Sequence, residues 1–420
     1  MDNRIIIVGA GASGLMAAIT LLRKGKKVVL LEAGAQTGGR IRTLHKNGAA
    51  IFEAGAEFVH GDLPLTMGLL KQYQIPLYPV GGAMAHMEDG KPRRRNVFGG
   101  DWRLLIQKMA ELQEDISFAA FLKKYFSGPA YTELRHFATG FAGGFDNADI
   151  NKASTKSLFR EWSGEEGAQH RIEGGHARLT DAMTKDCLDM GVELFTSEQV
   201  KKISWQKNEV RVTTASGKEF TGGKLIITVS PRVLLASQDS ESGIAFSPQI
   251  PVQLKAAKEI GFGPVIKLLL QFSEPFWNLK TKKAGFILTG EAVPTWWTHY
   301  PREDGVLTGW IAGSRAIELR DKTDEMLILV GEITLASAFG FDYAYIHERL
   351  LNAAVFNWDR EPYVLGAYSY ATLQSGAARE LLHQPLEGTI YFAGEALYDG
   401  VSQGTVEAAL SNGAHIAGKI

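Results

Sequence analysis

The sequence predicts an α/β fold of two lobes, one organised on a parallel sheet and the other on a mixed sheet with helices. Three observations predict it. The first 32 residues read as strand, glycine turn, helix, strand and acid. Residues 388–414 read as a turn, a short apolar strand, Gly-Glu and a small-residue helix. The 420 residues in all suit two to three domains at roughly 150 residues each.

Ile5-Ile6-Ile7-Val8 is a continuous β-branched run, the pattern of a parallel strand buried on both faces. It leads into Gly9-Ala10-Gly11-Ala12-Ser13-Gly14, after which Leu15, Ala18, Ile19 and Leu22 recur at helical spacing until Gly25. Val28 to Leu31 is a second buried strand, and Glu32 stands at its end, 23 positions after Gly9. In this Rossmann-like unit Gly9 permits the tight turn, Gly11 lets backbone approach a pyrophosphate, and Gly14 lets helix and strand pack closely. The phosphates would meet the helix N-terminus at Ala12 and Ser13, where orphan N–H groups and the macrodipole favour anions. Glu32, followed by Ala33, is placed to hydrogen-bond ribose hydroxyls, and an acid there argues against the 2′-phosphate of NADP. A glycine turn without ligand is the bland alternative; the strand–turn–helix–strand–acid context meets every condition of the motif.

Gly38-Gly39-Arg40, six residues after Glu32, separates FAD from NAD. An NAD domain would continue into its next helix, whereas this loop lays flexible backbone and a forked guanidinium against further phosphate. At the other end, Gly388-Thr389-Ile390-Tyr391-Phe392-Ala393-Gly394-Glu395 is a turn, a strand and Gly-Glu, followed by a helical pattern from Gly404, Thr405 and Val406. Glu395 could accept hydrogen bonds from ribityl hydroxyls. The helix N-terminus could face the electron-rich edge of a flavin.

These motifs resemble the flavin-containing amine oxidase family, which includes monoamine oxidases, polyamine oxidases and flavin histone demethylases. Further matches extend the resemblance over essentially the whole chain. Gly55, Ala56 and Glu57 lie in Ala54–Gly61, which is similar to the family's segment beside the flavin. Glu173-Gly174-Gly175 precedes a helical pattern from Ala177 to Met190. Val200 resembles the family's adenine-holding strand, and Leu225 to Val229 the strand returning to the cofactor domain. Trp358 and Tyr368 fall in Trp358–Tyr370, which resembles the segment leading to the flavin face. The resemblance implies a Rossmann-like FAD-binding domain of the glutathione-reductase/amine-oxidase type from residues 1–62, 171–245 and 385–420. A mixed-sheet-plus-helices substrate domain would comprise 63–170 and 246–384, with the substrate cavity between the two.

The most specific match is Gly263 to Phe272, a predicted strand with the single charge Lys267. A buried ammonium costs on the order of several kcal/mol unless compensated. Either Lys267 lies at an edge and snorkels to water, or, as the resemblance implies, it reaches flavin N5 through a water and assists reoxidation by dioxygen. Tyr368 would be one wall of an aromatic cage. Val401 stands where the second wall belongs, leaving Tyr398, Trp296 or Trp297 as candidates, and Gln36 stands where the family often has arginine. Ala367 occupies the position of the cysteine that bonds flavin in monoamine oxidases, so FAD is expected to be non-covalent. The one cysteine, Cys187, falls on an apolar helix face with Leu179, Met183 and Met190.

The resemblance implies oxidation of an amine C–N bond to an imine, hydrolysis to aldehyde or ketone, and reduction of O2 to H2O2. A dehydrogenase or desaturase of the protoporphyrinogen oxidase or phytoene desaturase type is the alternative; those relatives generally lack the lysine strand. Glu57 and His60 would lie near the flavin, where they could bind an amine or shift its protonation; the bland alternative is that Glu57 makes backbone hydrogen bonds. Ten histidines show no metal spacing, and no metal is expected.

Apolar residues at 45% and charged residues at 22% exclude disorder, and a net charge of −1 gives no reason to expect nucleic acid. The basic run Lys91-Pro92-Arg93-Arg94-Arg95 reads as a solvated hairpin, and Trp102 to Tyr125 as a helical insertion. The opening apolar run is too short for a signal peptide, and no stretch reaches the roughly 18 apolar residues of a membrane span. A cytoplasmic protein is expected, without membrane partner, as a monomer or homodimer.

Overall fold

The computed structural model describes residues 4–45, 51–61, 63–93, 99–164 and 167–420. Ile5–Val8 is the middle strand of a five-stranded sheet. Val28–Leu31 and Lys224–Ile227 flank it, Glu193–Phe195 and Ile390–Phe392 form the edges, and every neighbour is parallel. Val8 pairs in register with Leu31 and Ile227, so the carboxyl ends coincide and Gly9, Glu32 and Thr228 emerge side by side. That edge is where open α/β sheets bind ligands. The predicted strand–turn–helix–strand unit is present, with the helix spanning Ala12–Arg23.

Two glycines make the turn possible. Gly9 has φ +102°, and a Cβ there would fall 2.5 Å from Thr228 Oγ1. A Cβ on Gly14 would come within 1.9 Å of the Gly9 carbonyl oxygen, so helix and strand approach as closely as backbone allows. The closing helix, Val406–Gly418, packs along Ala12–Arg23. It begins at Val406, with Gly404 still in the turn before it.

The second large sheet has seven strands in the order Leu350–Asn357, Val265–Phe272, Val306–Ala312, Thr295–Thr298, Ala284–Thr289, Ala83–Glu88 and Lys91–Arg93. Val265–Phe272 is therefore an inner strand, hydrogen-bonded antiparallel on both sides. The edge reading of Lys267 is corrected: the residue is 1% exposed. Lys91–Arg93 forms the outer strand by pairing with His86–Glu88; Arg94 and Arg95 lie outside the described residues.

Four helices, Gly100–Ala110, Phe118–Tyr125, Thr132–Gly144 and Thr155–Trp162, pack around Leu105, Phe118 and Phe121. The helical insertion expected over 102–125 is made of two helices, Gly100–Ala110 and Phe118–Tyr125. Ser117 caps the second piece by accepting from Ala120 N, and the Asp115 carboxylate is drawn away to Ser154 Oγ and Lys156 N. Such short polar side chains compete with continued helix.

Candidate active site

One cavity of about 1760 Å3 starts at the carboxyl edge of the parallel sheet and runs on to the inner strands of the seven-stranded sheet and the helical layer. Every residue singled out in the sequence as cofactor-binding or catalytic lines it except Gly14, which stands behind Gly9.

At the sheet end, helix Ala12–Arg23 has no side-chain cap and no acid in its first turn. The Ser13 hydroxyl beside it is buried and lacks a partner. A buried donor of this kind seeks an acceptor, and the uncapped N–H groups favour an anion. Glu32 fastens its own turn, accepting from Ala10 N and Gly34 N at 2.8 Å each; burial raises its carboxyl against those N–H donors. The two glycine motifs touch: Gly38 N donates to Ala10 O at 2.9 Å, and a Cβ on Gly39 would lie 3.3 Å from Gly11 Cα. Arg40 donates from Nη1 to the Ala367 carbonyl at 2.6 Å and to Glu395 Oε2 at 2.9 Å. The other oxygen of Glu395 accepts from Ser369 N and Oγ. Trp358 Nε1 donates to the Ala54 carbonyl at 2.8 Å. The residues present fit a dinucleotide: an uncapped helix end, a partnerless hydroxyl, an acid at the second strand and a guanidinium on one continuous wall.

Midway lies a buried ion cluster. Lys267 Nζ donates to the Glu53 carbonyl at 2.6 Å, the Gly55 carbonyl at 3.1 Å and Glu57 Oε2 at 2.9 Å. Glu57 Oε1 accepts from Arg171 Nε and Nη2 at 3.1 and 3.0 Å, and from Trp297 Nε1 at 2.8 Å. Burial alone would raise the Glu57 carboxyl, but Lys267 and Arg171 bring it down to about 2. Burial raises Glu53 to about 7 and lowers His176 to about 4. Glu57 thus holds side chains, and the backbone reading of its role is corrected. His60 also lines the cavity, its ring pushed below the usual range by burial.

Beyond the cluster, Tyr368 stacks on Trp310, with centroids 6.3 Å apart and planes at 24°. Burial raises the Tyr368 phenol, and its hydroxyl donates to the Phe145 carbonyl. Trp297 lines the cavity and lies 5.6 Å from Trp310. Trp296 is fully buried against Gly309 and Gly331, and Val401 is 79% exposed. The ring facing Tyr368 is therefore Trp310, which sequence reasoning missed. The strand Val306–Ala312 carries it, and Trp310 is the direct cross-strand partner of Lys267. Also missed were Arg171 and a pair of acids on the outer wall, Asp146 and Glu161, which share a hydrogen bond. Burial, with the neighbouring acid, pushes Asp146 well above the usual range, and burial takes Glu161 to about 7.

Residues 12–420 match the flavin containing amine oxidoreductase family. The chain belongs to that family. Membership implies a flavin cofactor. The chain is 26% identical over 456 residues to lysine-specific histone demethylase 2 from Homo sapiens, covering 100% of this chain and 53% of that protein. It thus spans about half the length of such curated relatives. Polyamine oxidase 3 from Oryza sativa subsp. japonica is 25% identical over 97% of this chain and 87% of its own.

The fold is similar to putrescine oxidase bound to putrescine (TM-score 0.82, 20% identity, 100% and 99% of the two chains). It is also similar to cyclohexylamine oxidase from Brevibacterium oxydans IH-35A (TM-score 0.79, 19% identity, 100% and 99%). The expected two-lobed α/β class is the fold found. Among the described residues no helix is long and apolar enough to cross a membrane, and no cluster of His, Cys, Asp and Glu is arranged to hold a metal.

Proposed function

We propose that this protein is an FAD-dependent amine oxidase. It oxidises a C–N bond to an imine, which water hydrolyses to an aldehyde or ketone, and it reduces O2 to H2O2. The observation that carries the reading is the single cavity joining an anion-ready helix end to Lys267 and the Trp310–Tyr368 pair. FAD, when bound, would accept a hydride from the carbon beside nitrogen and pass two electrons to dioxygen. Residues 1–62, 171–245 and 385–420 would form its domain. Gly9, Gly11 and Ser13 would hold its phosphates, Glu32 and Val200 its adenosine half. Gly55, Ala56, Trp358, Glu395 and Thr405 would line its other half. Ala367 carries no sulfur, and Cys187 is buried with its thiol pushed up to about 12, which supports non-covalent binding.

Trp310 and Tyr368 would clasp the alkyl part of the amine. The Tyr368 proton is engaged by Phe145, so that ring acts as a surface and not as an acid. Asp146 and Glu161 support a substrate with a second cationic nitrogen, such as the putrescine of the similar solved structure. Lys267 on an inner strand of the cavity favours an oxidase over a desaturase.

The test is anaerobic bleaching of the FAD-loaded protein by monoamines, diamines and polyamines, followed by peroxide measurement on admitting air. Bleaching by at least one amine, with stoichiometric peroxide, is expected. A protein that takes up FAD yet is bleached by none, or yields no peroxide, is not an amine oxidase.

A further inference from the structure

The seven-stranded sheet has two edges, and they are built differently. At one edge the strand is Lys91-Pro92-Arg93, short, basic and interrupted by a proline. Those features keep a sheet edge from pairing with another chain. At the other edge Leu350–Asn357 runs for eight residues without a charge or a proline. Its one register irregularity lies at the start of the strand, opposite Gln271 and Phe272.

Alternation decides which backbone groups of this strand look outward. Trp358 N donates to the Val265 carbonyl, and the antiparallel register runs from Asn357 opposite Ile266 to Asn352 opposite Gln271. In such a ladder every second residue turns both its N–H and its C=O to the neighbour. Asn352, Ala354, Phe356 and Trp358 therefore face the inner strand Val265–Phe272, and Leu351, Ala353 and Val355 face away. Among the described residues, nothing bonds the backbone of those three. Both faces of the strand are covered. Ala353 and Val355 pack on the core around Leu268 and Leu270, and Ala354 and Phe356 pack on Phe52 and Leu269. What lies bare is the hydrogen-bonding edge, with Leu351 59% exposed at its start.

We propose that a second copy of this chain covers that edge, the two Leu350–Asn357 strands pairing antiparallel about a two-fold axis at Ala354 and joining the two seven-stranded sheets. The inference is independent of the amine oxidase reading. A two-fold contact requires a self-complementary patch, and the outward residues supply one. With the axis at Ala354, Ala353 of each copy meets Val355 of the other, and each such pair exchanges two backbone bonds. Ala354 faces its own counterpart in the narrow, non-hydrogen-bonded kind of pair, with Cα atoms about 4.5 Å apart, a spacing that a methyl side chain fits. The charges beyond the strand ends select this register. Exposed Glu348, just before one strand, comes opposite exposed Arg360, just after the other, and the match occurs twice. None of Leu350–Asn357 lines the cavity, so the pairing can be broken with flavin binding intact.

The experiment is sedimentation velocity on the full chain loaded with FAD, from roughly 0.5 to 50 μM, because association follows mass action. Wild type should move from the mass of one chain to that of two, and the amides of Leu350–Asn357 should exchange more slowly at the concentrated end. Ala353→Pro removes an outward donor and no bond to the inner strand, and Leu351→Lys puts a cation on the edge; each should weaken the dimer roughly tenfold or more and leave the FAD-to-protein ratio unchanged. E348R sets two cations against each other and should weaken it roughly threefold, and E348R/R360E should restore it to within about twofold of wild type.

The mass of one chain at every concentration overturns the proposal, whether the edge stays bare or captures another protein's strand. So does a dimer that Leu351→Lys leaves intact, or one in which E348R/R360E is no tighter than E348R alone. These outcomes decide the matter even if Ala353→Pro does not fold.

Discussion

Asp146→Asn should weaken turnover of a diamine and spare that of a monoamine. The two outer-wall acids share a hydrogen bond, and Trp162 Nε1 donates to Asp146 at 2.9 Å. Burial with the neighbouring acid, and burial alone, raise Asp146 and Glu161 respectively, the latter to about 7. Both carboxyls are therefore biased toward the protonated form, and a docked cation favours their ionised form. An ammonium docked there makes a charge-assisted hydrogen bond worth about 1.5–3 kcal/mol. At about 1.4 kcal/mol per tenfold, that is roughly 10- to 150-fold in kcat/KM for 1,4-diaminobutane. Butylamine has no second nitrogen to lose and should change less than about threefold.

The sign of the pH effect follows. A cation binds the deprotonated pair, so wild-type kcat/KM for the diamine should rise with pH through about 7, and the double variant D146N/E161Q should lose that rise. Steady-state peroxide production with both amines from pH 6 to 8.5 measures it. Equal losses on both amines, or an unaffected diamine, would refute a second cation site.

Three further outcomes are expected. Gly14→Ala drives a Cβ to 1.9 Å from the Gly9 carbonyl oxygen, so the turn must open; the FAD-to-protein ratio after purification should fall well below one equivalent, with a lowered melting temperature. Trp310→Ala removes the ring facing Tyr368, and losing its contact with about two methylenes of the amine, roughly 1–2 kcal/mol, should lower amine kcat/KM roughly 5- to 30-fold without altering flavin reoxidation. Glu57, held near 2 in the fold by its two cations despite burial, contributes stability fully present above its unfolded value and lost as pH falls toward 2. The shift corresponds to roughly 3 kcal/mol, so urea midpoints of E57Q should decline less steeply than wild type between pH 5 and 3.

Much of this molecule could be read in one dimension. The run Ile5–Val8, the glycines after it and Glu32 are neighbours in sequence, and their spacing alone implies strand, turn and helix. The same holds for Val265–Phe272 and the closing Gly394-Glu395 unit. Local sterics and hydrophobic periodicity act over a few residues, so sequence displays them. The helical insertion over Trp102–Tyr125 was legible too, but the break between its two helices was not, because it depends on Asp115 reaching Ser154 and Lys156, partners supplied from another helix.

The sequence by itself determined the α/β class, the dinucleotide turn and the presence of a charged residue in an otherwise apolar strand. Only the tertiary structure decided that this strand is an inner one, that Trp310 and not Val401 faces Tyr368, and that Asp146 meets Glu161. It alone brought Arg171 to Glu57 across 114 residues and Lys267 to Glu57 across 210. The physical reason is that a buried charge is tolerable only when its partners arrive in three dimensions. No local pattern states which distant segment supplies them.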